Sequence, residues 1–176
     1  MRVLFVDLDE TLVSTGLLLP EGQAPRVRVA GGPFGPEFYS VLVRPGASEA
    51  LEAAREEFDA VHVFTAASRG YAEPVLRAAG LRDLVDEVYT VEDVFSGKHP
   101  LPNLRGVKWS LIDNDEGIAM TKISAATGPM NIPIMRAMER YWVFIPDFAP
   151  KNLRDMDNYE PIDLAAAVDA AAWRTR

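Results

Sequence analysis

No cysteine occurs among the 176 residues. Disulfides, thiolate zinc sites and every mechanism that runs through a cysteine nucleophile are thereby excluded, so any covalent catalysis must use another side chain. Basic residues are scarce as well, 18 Lys and Arg against 26 Asp and Glu, which leaves a formal charge of -8. Nucleic acid and anionic membranes are gripped by clustered Lys and Arg, and no such cluster is present, so neither is an expected partner. Long hydrophobic runs are also missing. Nothing approaches the roughly 20 apolar residues of a membrane span, and the N-terminal apolar run meets Asp7 before a signal-peptide core develops. The expected location is the cytoplasm.

What is present is enough for a substantial core. With 48% hydrophobic residues over a length typical of one domain, residues 1–176 read as a single domain. Short, fully apolar blocks at residues 3–6, 60–64 and 109–112 suit strands buried on both faces. They stop at Asp7, Thr65 and Asp113. A fourth block at 141–145 stops at Pro146. Helical spacing separates the first three, with Leu51, Ala54 and Phe58 after the Arg44-Pro45-Gly46 break, and Tyr71, Val75, Leu76 and Ala79 before Gly80. Alternation of strand and helix predicts an α/β fold with a parallel sheet. Between residues 15 and 45 two alternating runs flank a Pro and Gly cluster, which predicts a β-hairpin inserted after the first strand. The alanine-rich stretch at 164–173 reads as a closing helix with Trp173 as its anchor, and His62 as a satisfied core histidine. Residues 119–133, which carry Gly128, Pro129 and Pro133, read as a loop near the active site or a structural excursion.

Ligands of an open parallel sheet bind beyond the carboxyl ends of its strands, where Asp7, Thr65 and Asp113 are expected. Three oxygen-bearing side chains around one crevice suit a hard cation such as magnesium. In Asp7-Leu8-Asp9-Glu10-Thr11 a tight turn would bring Asp9 back beside Asp7. One carboxylate can then attack phosphorus while the other handles the leaving-group proton. The same cluster also reads as an acidic turn capping a helix, and the residues alone leave both open.

Asp7-Leu8-Asp9-Glu10-Thr11-Leu12-Val13 resembles the first motif of the haloacid dehalogenase (HAD) superfamily, in its branch of FCP/SCP-like, or NLI-interacting-factor-like, phosphatases. Later segments resemble the same branch in the same order: 39–46 with its Arg44-Pro45 pair, Phe64-Thr65-Ala66 followed by Tyr71-Ala72, and Leu111-Ile112-Asp113-Asn114. The resemblance covers about residues 1–150. It implies a HAD-like (Rossmann-like) parallel sheet flanked by helices, with a small β insertion and no large cap. It also implies a magnesium-dependent phosphomonoester hydrolase that forms an aspartyl-phosphate, acting on phosphoserine or phosphothreonine in proteins. A non-protein phosphoester (nucleotide, sugar phosphate or polynucleotide end) and a noncatalytic phospho-binding module are the alternatives.

By the same resemblance Asp7 is the nucleophile and Asp9 the general acid and base. Thr11, Thr65 and Ala66 serve the phosphoryl-binding loops, and Asp7, Asp9, Asp113 and Asn114 the metal. Lys98, upstream of Asp113-Asn114 at the spacing the family uses, is the expected phosphate lysine. Lys108, its competitor, lies at the far end of the strand that leads to Asp113. Two departures stand out: Asp115-Glu116 where the branch has a small residue and proline, and Ser68 one place later than its serine.

Overall fold

A computed structural model of the chain describes residues 1–32, 35–95, 106–127 and 134–176. At its centre the first apolar block forms β1 (Arg2–Val6), paired in parallel with β6 (Ala60–Phe64) on one side and β8 (Lys108–Asp113) on the other. Beyond them β7 (Glu87–Tyr89), which leads into the short α3 (Val91–Phe95), and β9 (Trp142–Phe144) complete a parallel sheet of order β7-β6-β1-β8-β9. The expected α/β architecture is what the chain adopts. β7 is a strand the sequence did not announce, because three residues with only Val88 buried leave no readable period.

Burial on both faces explains why these strands are apolar throughout. Leu4 and Val6 pack with α1 (Ala47–Glu57), α2 (Arg69–Ala78) and α6 (Pro161–Arg174). Val3 and Phe5 point the opposite way, toward α4 (Glu116–Thr127) and α5 (Ile134–Tyr141). Full burial of one such side chain is worth roughly 1.5–3 kcal/mol. Gly46 precedes α1 with φ 77°, and a Cβ there would lie 2.8 Å from Pro161, so glycine lets the starts of α1 and α6 meet.

Three sequence expectations are corrected. Residues 119–127, the part of the 119–133 segment read as loop or excursion that continues from Glu116, belong to α4. Apolar and small residues surround this helix without a stripe, so its period is silent. The single expected hairpin is two antiparallel pairs, β2 (Val13–Ser14) with β5 (Leu42–Val43) and β3 (Arg26–Gly32) with β4 (Gly35–Ser40). Buried Val41, whose N–H bonds the Pro25 carbonyl at 2.8 Å, divides them. Trp173 is 73% exposed and anchors nothing. Leu164, Ala167, Val168 and Ala171 seat α6, and Trp173, two residues past Ala171, falls on the outer face. Among the described residues no helix is long and apolar enough to cross a membrane.

From β1 the chain runs outward through β6 and β7, then returns to β8 on the other side of β1. That reversal opens a crevice beyond the carboxyl ends of β1 and β8, where ligands of such sheets bind.

Candidate active site

Asp7 continues β1 at this crevice, its N–H bonded to the Ile112 carbonyl at 2.9 Å. The next turn is fixed by its apolar members. Leu8 and Leu12 are fully buried, the Leu12 and Val13 N–H groups both bond the Leu8 carbonyl, and Glu10 takes a left-handed φ of 58°. Asp9 thereby returns to the side of Asp7. Asp7, Asp9, Thr65, Ala66, Asp113 and Asn114 line one cavity of about 180 Å³, with Glu10 and Asp115 at it as well. A larger hollow of about 480 Å³ beside Leu17, Leu19 and Leu153 holds no carboxylate, so chemistry and not size marks the site.

The lysine beside Asp7 is Lys122 of α4, which sequence reasoning did not consider. Its ammonium donates to Asp7 Oδ1 at 2.8 Å, to Asp113 Oδ2 at 2.7 Å and to the Phe64 carbonyl at 2.7 Å. Three protons meet three acceptors, so this buried cation is fully satisfied. Its proton is held more tightly than usual: burial opposes the charge, but Asp7 and Asp113 together outweigh burial. Lys98 lies outside the described residues. Lys108 is at the opposite end of β8, donating to the Arg176 carbonyl.

Burial is the largest influence on Asp7 and pushes its carboxyl above the ordinary range, with Asp113 adding to the effect and Lys122 opposing it. Asp9 is also pushed up by burial, against a hydrogen bond from Tyr71. Thr65 is buried, and its Oγ1 accepts the Ala67 N–H at 3.0 Å, which leaves its own proton free to donate. Ser68 does no comparable work: it precedes α2 and its side chain makes no capping bond.

The carbonyls of the Asp7 to Leu12 turn are held from behind by Arg44, 1% exposed. Its Nε donates to the Thr11 carbonyl at 2.6 Å, and its Nη2 to the carbonyls of Glu10, at 3.1 Å, and Pro146. The guanidinium also stands over the rings of Phe148 and Tyr159, 5.3 and 5.9 Å from their centroids. Thr11 does not line the cavity but reaches it through Asn114, donating to Asn114 Oδ1 at 2.9 Å. Asn114 Nδ2 in turn donates to Asp147 Oδ1 at 3.1 Å. Asp115 has a structural use, since its Oδ1 accepts the Ile118 N–H at 2.8 Å and caps the helix that carries Lys122.

A divalent cation fits this donor set. Every donor is a hard oxygen, and the buried carboxylates of Asp7 and Asp113 already exceed the one ammonium between them. Both oxygens of Asp113 already accept hydrogen bonds, Oδ2 from Lys122 and Oδ1 from the Asp115 N–H at 2.9 Å. Among the described residues no three His, Cys, Asp or Glu side chains gather to hold a metal by themselves. Asn114 Oδ1 and main-chain carbonyls are the further oxygen donors beside these carboxylates.

Residues 2–101 match the family model of NLI interacting factor-like phosphatases. No curated protein matches the sequence. Among solved structures, Fcp1, an essential RNA polymerase II CTD phosphatase, is similar with a TM-score of 0.57 and 16% identity, over 97% of this chain and 50% of that one. A single-substitution variant of fission yeast Fcp1, bound to beryllium fluoride, gives 0.55 and 15%, over 97% and 52%. The chain thus spans about half the length of these two Fcp1 chains. A HAD family hydrolase from Deinococcus radiodurans R1, with bound phosphate and sodium, gives 0.51 and 18%, over 98% of this chain and 96% of that one. These likenesses show a shared HAD-like fold.

Proposed function

This chain belongs to the NLI interacting factor-like phosphatase family, and from that premise we propose that it is a magnesium-dependent phosphomonoesterase working through an aspartyl-phosphate on Asp7. The observation that carries the reading is the pairing of Asp7 with Lys122 while Asp9 lines the same cavity. An oxygen of Asp7 attacks phosphorus as the ester oxygen departs, and Asp9 gives that oxygen its proton. Water then attacks the phosphoryl group, Asp9 takes a proton back, and Asp7 is released with phosphate. Lys122 steadies Asp7 through both steps. Because Phe64 and Asp113 use its other protons, its part is to orient the nucleophile rather than to bind phosphate. The Thr65 hydroxyl, with its proton free, and the backbone beside Ala66 are the groups available to the phosphoryl oxygens.

Asp7, the main-chain carbonyl of Asp9 and Asn114 would hold magnesium. When bound, it offsets the repulsion between the attacking carboxylate and the phosphate. Asp113 acts through Lys122.

For substrate we infer phosphoserine or phosphothreonine in a protein. Fcp1, which shares the fold, is an RNA polymerase II CTD phosphatase, and the β3–β4 insertion, with strands of 7 and 6 residues, is too small to enclose the crevice. The test is phosphate release from an aryl phosphate, phosphoserine and phosphothreonine peptides, nucleotides and sugar phosphates, with magnesium or a chelator, for the native chain and Asp7→Asn. Turnover that needs magnesium and Asp7 is expected, with peptides preferred over nucleotides and sugar phosphates. Undiminished hydrolysis by Asp7→Asn would sink the mechanism, and a preference for nucleotides or sugar phosphates would sink the substrate class.

A further inference from the structure

Tyr71 stands in the first turn of α2 with its hydroxyl 2.5 Å from Asp9 Oδ1 and 2.7 Å from Thr15 Oγ1. Its ring is fixed from the other side by Tyr39 of β4, edge to face at 5.4 Å between centroids. A phenol has one proton, and Oδ1 accepts it whether the carboxyl group is ionised or carries its own proton on Oδ2. Tyr71 therefore donates to Asp9, and the Thr15 hydroxyl donates to Tyr71, an ordered chain of two bonds. Among the described residues Tyr71 is the only hydrogen-bond donor to the Asp9 side chain.

We propose that Tyr71 is the positioning residue of Asp9: by holding Oδ1 it fixes the plane of the carboxyl group and leaves Oδ2 as the oxygen that passes the proton to the leaving group. The inference rests on the reading of Asp9 as proton donor given above. Without the Tyr71 hydroxyl the carboxyl group rotates freely about its last bond, and the fraction of time in which Oδ2 faces the ester oxygen falls. The geometry also ties proton transfer to the insertion, since Thr15 follows β2 and Tyr39 belongs to β4.

Leaving-group dependence separates this role from mere packing. A departing alkoxide needs a proton far more than a stabilised phenolate does, and kcat/KM reports the first, leaving-group-expelling step. The native chain, Tyr71→Phe and Asp9→Asn are compared with magnesium on 4-nitrophenyl, phenyl and benzyl phosphate, with thermal melting as the check on folding. Tyr71→Phe, which keeps the ring, should lose about tenfold or more on benzyl phosphate and less than about threefold on 4-nitrophenyl phosphate, in the direction of a steeper Asp9→Asn profile. Thr15→Val, one bond further away, should show the same tilt more weakly. If Asp9→Asn is selective but Tyr71→Phe loses equally on all three substrates, or on none, the positioning role is overturned and the role of Asp9 stands. A flat profile for Asp9→Asn overturns both.

Discussion

The two ends of the central strands carry the same kinds of charged group and use them in opposite ways. At the amino ends, Arg2 pairs with Glu57 at 3.5 Å and donates to the Thr175 hydroxyl and the Ala172 carbonyl, while Lys108 reaches the Arg176 main chain. These groups are partly exposed, and pairs of that kind are worth about 0–1 kcal/mol. At the carboxyl ends, Asp7 and Asp113 share one ammonium, and all three groups are buried. Burial there costs desolvation that only the geometry of the cluster offsets, and removing one member strands the others. A lysine in this sheet is therefore structural trimming or the centre of a site according to which end it serves.

The sharpest way to break that comparison is to remove each lysine. Lys122→Met should abolish detectable turnover and, measured without magnesium, cost about 3–5 kcal/mol in chemical denaturation, because Asp7 and Asp113 are left buried without their cation. Lys108→Met should leave turnover unchanged and stability within about 0.5 kcal/mol. Equal effects from the two would dissolve the distinction between the ends.

Arg44→Lys comes next. A lysine cannot reproduce the fork that gathers the carbonyls of Thr11, Glu10 and Pro146, and each buried acceptor left alone costs about 1–3 kcal/mol. A loss of roughly 2–4 kcal/mol is expected in denaturation, together with lower kcat because the Asp7 turn loosens. Asp115→Ala removes the cap of α4 and should cost about 1 kcal/mol, while Asp115→Asn, which keeps an acceptor, should cost much less. If both variants match the native chain, the acidic pair serves something other than the helix that holds Lys122.

The smallest effect belongs to His62, away from the cavity. Burial lowers its proton affinity, and among the described residues its Nδ1 has no hydrogen-bond partner, so it is a core histidine but not a satisfied one there. The folded chain keeps this ring neutral where the unfolded chain protonates it. Its contribution to stability is therefore present above about pH 6.5 and is lost as pH falls toward the depressed folded value. His62→Phe should flatten that decline in melting temperature between pH 7 and pH 5.

Much of the carboxyl-end site is legible in the sequence because strands buried on both faces leave apolar blocks, and the first polar residue after each block falls at the crevice. Asp7, Thr65 and Asp113 are found this way, and the tightness of the turn after Asp7 returns Asp9. Lys122 is not legible. It lies 115 residues from its partner Asp7, on a helix without an apolar stripe. Gly128 and Pro129, just beyond that helix, argue for loop. Arg44 is visible as half of an Arg-Pro pair, but its use depends on Pro146 and Phe148, brought near only by the path of the chain after β9. Tyr71 reads as a core position of an amphipathic helix, and its hydroxyl gives no periodic signal at all.

The most direct test of the account is to find the phosphoryl group on Asp7. Asp9→Asn, which lacks the base for the second step, is mixed with magnesium and 4-nitrophenyl phosphate, quenched in acid, digested and read by mass spectrometry. The account predicts one phosphorylated peptide, containing Asp7, whose label disappears in Asp7→Asn. Steady release of 4-nitrophenol with no adduct, or an adduct on another residue, would contradict it.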